Sequence, residues 1–154
     1  DGAVGNSPGK CVSMNLHFMS ASEEDIPVIY AQAKNLIDTY EDLASIDYDK
    51  VLDWLQRKIS KHISSYTAVV LGDKPCAYYR LCDDGELDDL YVLPDFQNRG
   101  IGSKILEKCI LESVNHLYLY VFSANTRAIS FYEKHGFSLR EKVGKTRLIL
   151  NRKG

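Results

Sequence analysis

The stretch LYVLPDFQNRGIGSKIL, residues 90–106, joins a β-rich run to an amphipathic run through a loop with two glycines one residue apart. A strand that passes directly into a helix in this way is typical of α/β proteins rather than of all-helical or all-β folds. Such a loop can turn successive backbone N–H groups towards one point, and the helix adds unpaired N–H groups and a partial positive charge. The segment therefore predicts a strand, an anion-binding loop and a helix.

Strand and helix patterns alternate along the rest of the chain. Runs rich in β-branched and aromatic residues predict strands at 14–19, 66–71, 76–82, 86–93, 117–122, 138–143 and 145–150. Helical periodicity predicts helices at 20–37, 47–63, 103–114 and, shorter, within 125–137. The resulting order, β α α β β β α β α β β, predicts a mixed α/β sheet with helices on both faces.

Length and charge limit what the chain can be. Its 154 residues favour one domain, predicted over 14–154. Residues 1–13 are predicted to be a flexible leader, part of which we expect to come from the expression vector. The formal net charge of -2 argues against nucleic acid or a membrane as the main partner, and no apolar run is long enough to span a bilayer. The leader lacks the apolar core of a signal peptide, so we expect a cytoplasmic protein. Four cysteines without metal-binding spacing predict free thiols and no metal site.

Two nucleotide-binding loops are disfavoured by the residues around the glycines. A P-loop requires Lys and then Ser or Thr after its last glycine, but Gly102 is followed by Ser103 and Lys104 in the opposite order. The dinucleotide fingerprint requires a third glycine where Ile105 stands. A tight turn without a ligand stays open as an alternative for the glycine pattern taken alone.

Two segments resemble the motifs of one enzyme family. LYVLPDFQNRGIGSKIL is similar to motif A of the GCN5-related N-acetyltransferases, the GNAT family, in which Gln or Arg precedes Gly-x-Gly at the start of a helix. SANTRAISFYEKHGF is similar to motif B of the same family, and the two matches follow in family order and spacing. The resemblance covers roughly 15–152. It implies a mostly antiparallel sheet with a central splay, where the motif A strand and the strand at 117–122 separate.

The resemblance also implies acetyl-CoA as cosubstrate. In the family, the pyrophosphate lies on the motif A loop and the pantetheine pairs with the motif A strand like an added strand. Carried onto this sequence, the cofactor-binding residues are Leu90, Tyr91, Val92, Gln97, Asn98, Arg99, Gly100, Ile101, Gly102, Ser103 and, from motif B, Asn125.

Acetyl transfer to an amine requires a donor that protonates the departing thiolate. Tyr132 matches the family tyrosine that serves as this acid. The same residue falls on an apolar helical stripe with Ala128 and Phe131, so a core aromatic is the alternative interpretation.

The amine must also lose a proton, which requires a base. Alternation along the strand at 86–93 places Glu86 and Asp88 on one face and Asp89 on the other, so Asp89 would need a bulge to reach the site. Family members with a glutamate on this strand carry it at the spacing of Glu86, which is the first choice of base, acting through water, with Asp88 second. Other members use a Glu where Tyr120 stands here. The alternative is that all three acids are solvated surface groups.

The predicted function is acetyl-CoA-dependent N-acetyl transfer to a primary amine of a small molecule or peptide. An acidic loop between the first two predicted helices suggests a cationic acceptor. Its five carboxylates are Asp38, Glu41, Asp42, Asp47 and Asp49. A catalytically silent acyl-CoA-binding module of the same fold is the alternative. The oligomeric state stays open, with a homodimer as one possibility.

Overall fold

The computed structural model describes residues 15–113 and 116–153. Within these ranges it contains seven strands and four α-helices in the predicted order. The strands are β1 (Leu16–Ser20), β2 (Thr67–Leu71), β3 (Lys74–Leu81), β4 (Leu87–Val92), β5 (His116–Phe122), β6 (Ser138–Val143) and β7 (Arg147–Lys153). The helices are α1 (Ile26–Tyr40), α2 (Tyr48–His62), α3 (Ile101–Glu112) and α4 (Thr126–Lys134). The predicted leader, Met14 and Val114 lie outside the described residues.

The strands form two antiparallel sheets that meet at one point. The first sheet has the order β1-β2-β3-β4, and the second has the order β5-β7-β6. A parallel bridge between Glu86 and Tyr118 joins them, and a hydrogen bond of 3.1 Å from the Tyr118 N–H to the Gly85 carbonyl supports it. Beyond this bridge, β4 and β5 form no ladder and border a common cavity. The mostly antiparallel sheet and the central splay that the family resemblance implies are thus confirmed.

Apolar clusters on opposite faces of the sheets hold the helices. One cluster contains Ile105 of α3 and Leu117 of β5, and α4 packs against it. The other contains Ile29 of α1 and Ile59 of α2. On β3, Tyr78 belongs to one cluster and its neighbours Ala77 and Tyr79 belong to the other, as alternation of side chains along a strand requires. Helices on both faces are therefore confirmed.

Local signals set most of the element ends. The Asp25 carboxylate accepts a hydrogen bond of 2.8 Å from the Ser22 N–H before α1, and Asp47 caps α2 by accepting from the Lys50 N–H. The predicted strands at 66–71 and 76–82 leave residues 72–75 as the turn between them, but the turn is shorter in the structure. Leu71 pairs with Lys74, so the turn has only two residues, and Gly72 supplies the left-handed conformation with φ of 68°.

Two further sequence predictions concern the described part of the chain. Cys76, Cys82 and Cys109 are free thiols, as predicted, whereas Cys11 lies outside the described residues. Among the described helices, none combines the length and the apolar character needed to cross a bilayer.

Candidate active site

The loop between β4 and α3 has the backbone geometry of an anion site. Asn98 and Gly100 adopt left-handed conformations with φ of 63° and 81°. Gly100 is the N-cap of α3, a helix of 12 residues that begins at Ile101. The first N–H groups of a helix have no partner within the helix, and the helix dipole favours an anion beside them. The residues present therefore fit the pyrophosphate that the sequence analysis assigns to this loop.

Side chains from within and outside the loop hold its shape. The Gln97 amide donates a hydrogen bond of 3.0 Å to the Val92 carbonyl at the end of β4. The Asn98 side-chain oxygen accepts one of 2.8 Å from Arg127 of α4. The Arg99 guanidinium lies 5.3 Å from the centroid of the Phe96 ring, within cation–π distance. These internal contacts of Gln97, Asn98 and Arg99 fix the path of the backbone.

The two glycines of the loop differ in what their backbone positions require. Gly100 needs its positive φ, which L side chains rarely adopt. Gly102 lies in the first turn of α3 and shows no such φ. A Cβ there would lie 3.4 Å from the Phe131 ring and 3.6 Å from a Val92 methyl group. Both are ordinary contact distances, so the packing leaves room for a Cβ at Gly102, whereas the backbone conformation at Gly100 favours glycine.

Two cavities lie in the cleft where β4 and β5 separate. The loop cavity, of about 910 Å³, is lined by residues 96–98 and 100–103 together with α4. The helix cavity, of about 650 Å³, is lined mainly by α1, α2, β4 and β5. Both are lined by Asn35, Leu36, Leu90, Val92, Gln97, Asn125, Ala128 and Tyr132. The shared lining places Leu90 and Val92 of β4 and the motif B residues Asn125 and Tyr132 where the two cavities meet, whereas Tyr91 lines only the helix cavity.

Tyr132 lies at this junction. Its ring packs edge-on against Phe131 and Phe137, at centroid distances of 5.2 and 5.5 Å. Burial raises the pKa of the Tyr132 hydroxyl, so the group stays protonated at neutral pH. Asn125 starts α4 by accepting a hydrogen bond of 3.1 Å from the Ala128 N–H. The core role and the cavity role of Tyr132 are therefore compatible, because the ring packs in the core while the residue borders both cavities.

A β-bulge at Asp88 changes the directions of the β4 side chains. Leu81 of β3 pairs with Leu87, but Arg80 pairs with Asp89, so Asp88 is an extra residue on β4. As a result, Leu87 and Tyr91 join clusters on opposite faces, although strict alternation would put them on one. The prediction that Asp88 and Asp89 point to opposite faces is wrong, because the bulge breaks the alternation between them.

Both aspartates belong to one polar network with α2 and β3. The Lys58 ammonium lies 2.8 Å from Asp88 and 3.4 Å from Asp89, and Arg80 lies 2.7 Å from Asp88. The Tyr66 and Tyr91 hydroxyls donate to Asp89. Burial opposes the charge on Lys58, but the two carboxylates outweigh it and raise the pKa of Lys58. Asp88 is thus neutralised by two cations, which disfavours it as the base.

Glu86 has a different environment from its two neighbours. It lies at the bridge between the sheets, lines the helix cavity and is half-buried. Among the described residues, no partner forms an ion pair or a side-chain hydrogen bond with its carboxylate. Burial, followed by repulsion from Asp88 and Asp84, raises the pKa of Glu86 above its ordinary value. Of the three candidate carboxylates, Glu86 is therefore the one whose oxygens are free to accept a proton or a hydrogen bond.

The predicted acidic rim lies apart from the cavities. None of its five carboxylates lines the loop cavity or the helix cavity. Asp38 instead contacts Lys34 and the Tyr48 hydroxyl, each at 2.6 Å, and Asp47 caps α2. The Tyr48–Asp38 hydrogen bond links α2 to the end of α1, and all five carboxylates lie outside both cavities, so the rim does not support the expectation of a cationic acceptor.

Several residues of the helix cavity were missed by the sequence analysis. α2 contributes Trp54, Lys58 and His62, which follow a spacing of four residues and so share one helical face. The spacing was visible in the sequence, but nothing local indicated which surface this face meets. Arg80 and Arg147 come from β3 and β7 and gave no local signal.

Cys82, Asp84 and Glu86 also come close together. Their sulfur and carboxylate atoms lie within 4.8 Å of one another. Asp84 already accepts hydrogen bonds from the Tyr118 hydroxyl at 2.6 Å and from the Glu86 N–H at 3.0 Å. The cluster is explained by the turn that precedes β4, and the absence of a metal site stays a prediction.

Comparison with known proteins agrees with this architecture. Residues 30–137 match the Acetyltransferase (GNAT) family. Peptidyl-lysine N-acetyltransferase YjaB of Salmonella typhimurium is 25% identical over 143 residues, which cover 90% of this chain and 97% of the relative. The solution structure of apo YjaB from Escherichia coli has a TM-score of 0.68 at 21% identity, covering 91% of this chain and 97% of that chain. PaiA N-acetyltransferase from Thermoplasma acidophilum, crystallised with coenzyme A, has a TM-score of 0.67 at 18% identity, covering 92% of this chain and 100% of that chain.

The match over 30–137 shows that the chain belongs to the GNAT family. It is an acyltransferase, and its cosubstrate is acetyl-CoA.

Proposed function

We propose that the protein transfers the acetyl group of acetyl-CoA to a primary amine of a small molecule or peptide, with Tyr132 as general acid and Glu86 as water-mediated general base. The observation that carries the proposal is the shared wall of the two cavities, which Tyr132 lines from α4. A relative over nearly the whole chain is a peptidyl-lysine N-acetyltransferase, which supports an amine as acceptor.

The loop cavity suits the cosubstrate. Acetyl-CoA, when bound, supplies an activated acetyl thioester. The N–H groups from Asn98 to Ser103 would hold its pyrophosphate at the start of α3. Leu90, Tyr91 and Val92 offer the β4 edge that faces the splay, where an extended chain can pair with backbone groups.

Tyr132 would supply the proton that the departing sulfur needs. Its raised pKa keeps the hydroxyl protonated throughout the working pH range. The same shift makes it a weaker acid than free tyrosine, so its contribution starts as a hydrogen bond and becomes proton transfer only as charge develops on the sulfur.

Glu86 would accept, through water, the proton that the acceptor ammonium must lose. A carboxylate with a raised pKa is a stronger base near neutral pH than an ordinary glutamate. Because Glu86 is a base only when ionised, activity should fall as the pH drops through its folded-state pKa, which is raised above that of an ordinary glutamate.

The test begins with thiol release from acetyl-CoA over a panel of primary amines. We expect release with at least one amine, and an acidic limb in the pH dependence of kcat/KM. Glu86→Gln should keep acetyl-CoA binding, lower kcat/KM and remove or displace that limb. Asp88→Asn is the matched control and should keep the limb but shift it to lower pH, because Asp88 is paired with Lys58 and Arg80 and its charge contributes only a repulsion that raises the pKa of Glu86.

Two results would contradict the proposal. If wild type binds acetyl-CoA but releases no thiol with any amine, the chain is a silent acyl-CoA-binding module. If Glu86→Gln keeps the wild-type acidic limb while Asp88→Asn loses it, the base has been assigned to the wrong residue.

A further inference from the structure

Two exposed aromatic rings line the helix cavity from different elements. Trp54 of α2 is 55% exposed and Tyr120 of β5 is 44% exposed. Exposed single apolar residues are common, but two aromatic rings in one concave site are typical of a surface that contacts an apolar ligand. Neither ring belongs to the two apolar clusters of the core, so core packing does not account for either of them.

Each ring already has a cation from the chain beside it. The Lys58 ammonium lies 5.8 Å from the centroid of the Trp54 ring, and the Arg147 guanidinium lies 5.9 Å from that of Tyr120. Lys58 is itself fixed by Asp88 and Asp89. Because each ring already has a cation of the chain beside one face, the exposed remainder of the ring offers a ligand mainly apolar contact.

The charges of the helix cavity lead to the same conclusion. Lys58, Arg80, Asp88 and Asp89 neutralise one another in the polar network. The remaining charged side chains of the lining are then Glu86 and Arg147, besides His62. Burial, with repulsion from Arg80 and Lys61, lowers the pKa of His62, which favours its neutral form. The Glu86 carboxylate can pair with one ammonium group of a ligand. A second ammonium group would face only the Arg147 guanidinium, which carries the same charge.

We infer that the acceptor is a primary monoamine with an aromatic body, which Trp54 and Tyr120 contact while the amine reaches towards Glu86. The inference rests on the proposed function in taking the helix cavity as the acceptor site. It replaces the cationic acceptor expected from the acidic loop with an apolar amine of single charge, and it makes Trp54 and Tyr120 specificity-determining residues.

A binding experiment tests the inference without turnover. Trp54 is the only tryptophan of the chain, so its fluorescence has a single origin. Titration of the full chain with phenethylamine, without acetyl-CoA, should change this fluorescence saturably. By calorimetry, Trp54→Leu should bind phenethylamine about fivefold more weakly, as expected for the loss of one aromatic contact. Leu111→Ser is the matched control, because Leu111 is 86% exposed and lines neither cavity.

A turnover experiment tests the selectivity. Phenethylamine should be acetylated with a kcat/KM at least tenfold above that of hexane-1,6-diamine. Trp54→Leu and Tyr120→Leu should raise the KM for phenethylamine and leave kcat unchanged, whereas a residue with only a structural role would lower the folded fraction.

The outcomes separate the inference from the proposed function. Saturable binding of phenethylamine without any thiol release would overturn the proposed function and support the aromatic site. Preferred acetylation of the diamine or of lysyl peptides, with the KM of Trp54→Leu unchanged, would overturn the aromatic site and leave the proposed function standing.

Discussion

The loop cavity and the helix cavity share a wall but are built in different ways. The loop cavity depends on the backbone of one continuous segment, 97–103, with its two left-handed residues and the start of α3. The helix cavity depends on side chains that seven elements bring together, namely α1, α2, α4, β3, β4, β5 and β7.

Because the two cavities are built differently, they suit different ligands. Backbone N–H groups bind any phosphate of suitable shape, which fits a cosubstrate common to a whole family. Side chains from several elements form a surface that is specific to one chain, which fits an acceptor that varies. Substitutions should therefore affect the loop cavity through backbone conformation and the helix cavity through charge and contact.

The largest effect should come from the polar network beside the helix cavity. Lys58→Met leaves Asp88 and Asp89 without their shared cation, and the three side chains are only 15%, 15% and 10% exposed. We expect a loss of about 3 kcal/mol in the free energy of unfolding, measured with urea. Lys58→Arg should recover most of it, and acetyl-CoA affinity should stay near wild type. A loss below about 1 kcal/mol would mean that water compensates the carboxylates.

Tyr132→Phe tests the wall that the cavities share. The ring contacts with Phe131 and Phe137 remain possible, so folding and acetyl-CoA affinity should be kept. Loss of the hydroxyl should lower kcat about 100-fold in single-turnover measurements, where chemistry limits the rate. Full turnover by the Phe variant would leave Tyr132 with the core role alone.

Gly100→Val tests the backbone of the loop cavity. A β-branched residue at φ of 81° is strained, so the loop should lose its anion-binding geometry. We expect acetyl-CoA affinity to fall at least tenfold, about 1.4 kcal/mol, by calorimetry on protein shown to be folded. Gly102→Ala is the control, since its Cβ would meet Phe131 at an ordinary contact distance of 3.4 Å. Equal losses in both variants would remove the distinction between the two glycines.

The smallest effect should come from the contact between α4 and the loop. Arg127→Met removes the 2.8 Å hydrogen bond to Asn98. The other contacts of the loop remain, so its backbone conformation should be kept. We expect the KM for acetyl-CoA to rise roughly threefold with kcat unchanged, the scale of one hydrogen bond at the surface. Steady-state kinetics with acetyl-CoA as the varied substrate measure it, and a fall in kcat instead would place Arg127 in the chemistry.

Much of the fold was predictable because its signals are local. The order of strands and helices follows from periodicity, and Ser22, Asp25, Asp47 and Gly100 mark helix starts within a few residues of the chain. The exact residues of the turn at Gly72 and the directions of the β4 side chains around Asp88 were not predictable. Pairing between strands decides both, and the sequence of one strand does not contain the register of its partner.

The sequence by itself determined the loop, the motif positions and the residues Tyr132, Asn125 and Glu86 as candidates, because each belongs to a short contiguous pattern. Only the tertiary structure decided which carboxylate stays free. Lys58 and Asp89 meet although they are 31 positions apart in the chain, and the bulge at Asp88 brings both aspartates to that lysine. Such a pairing depends on the packing of α2 against the sheet, where charges separated in sequence must neutralise one another once water is removed.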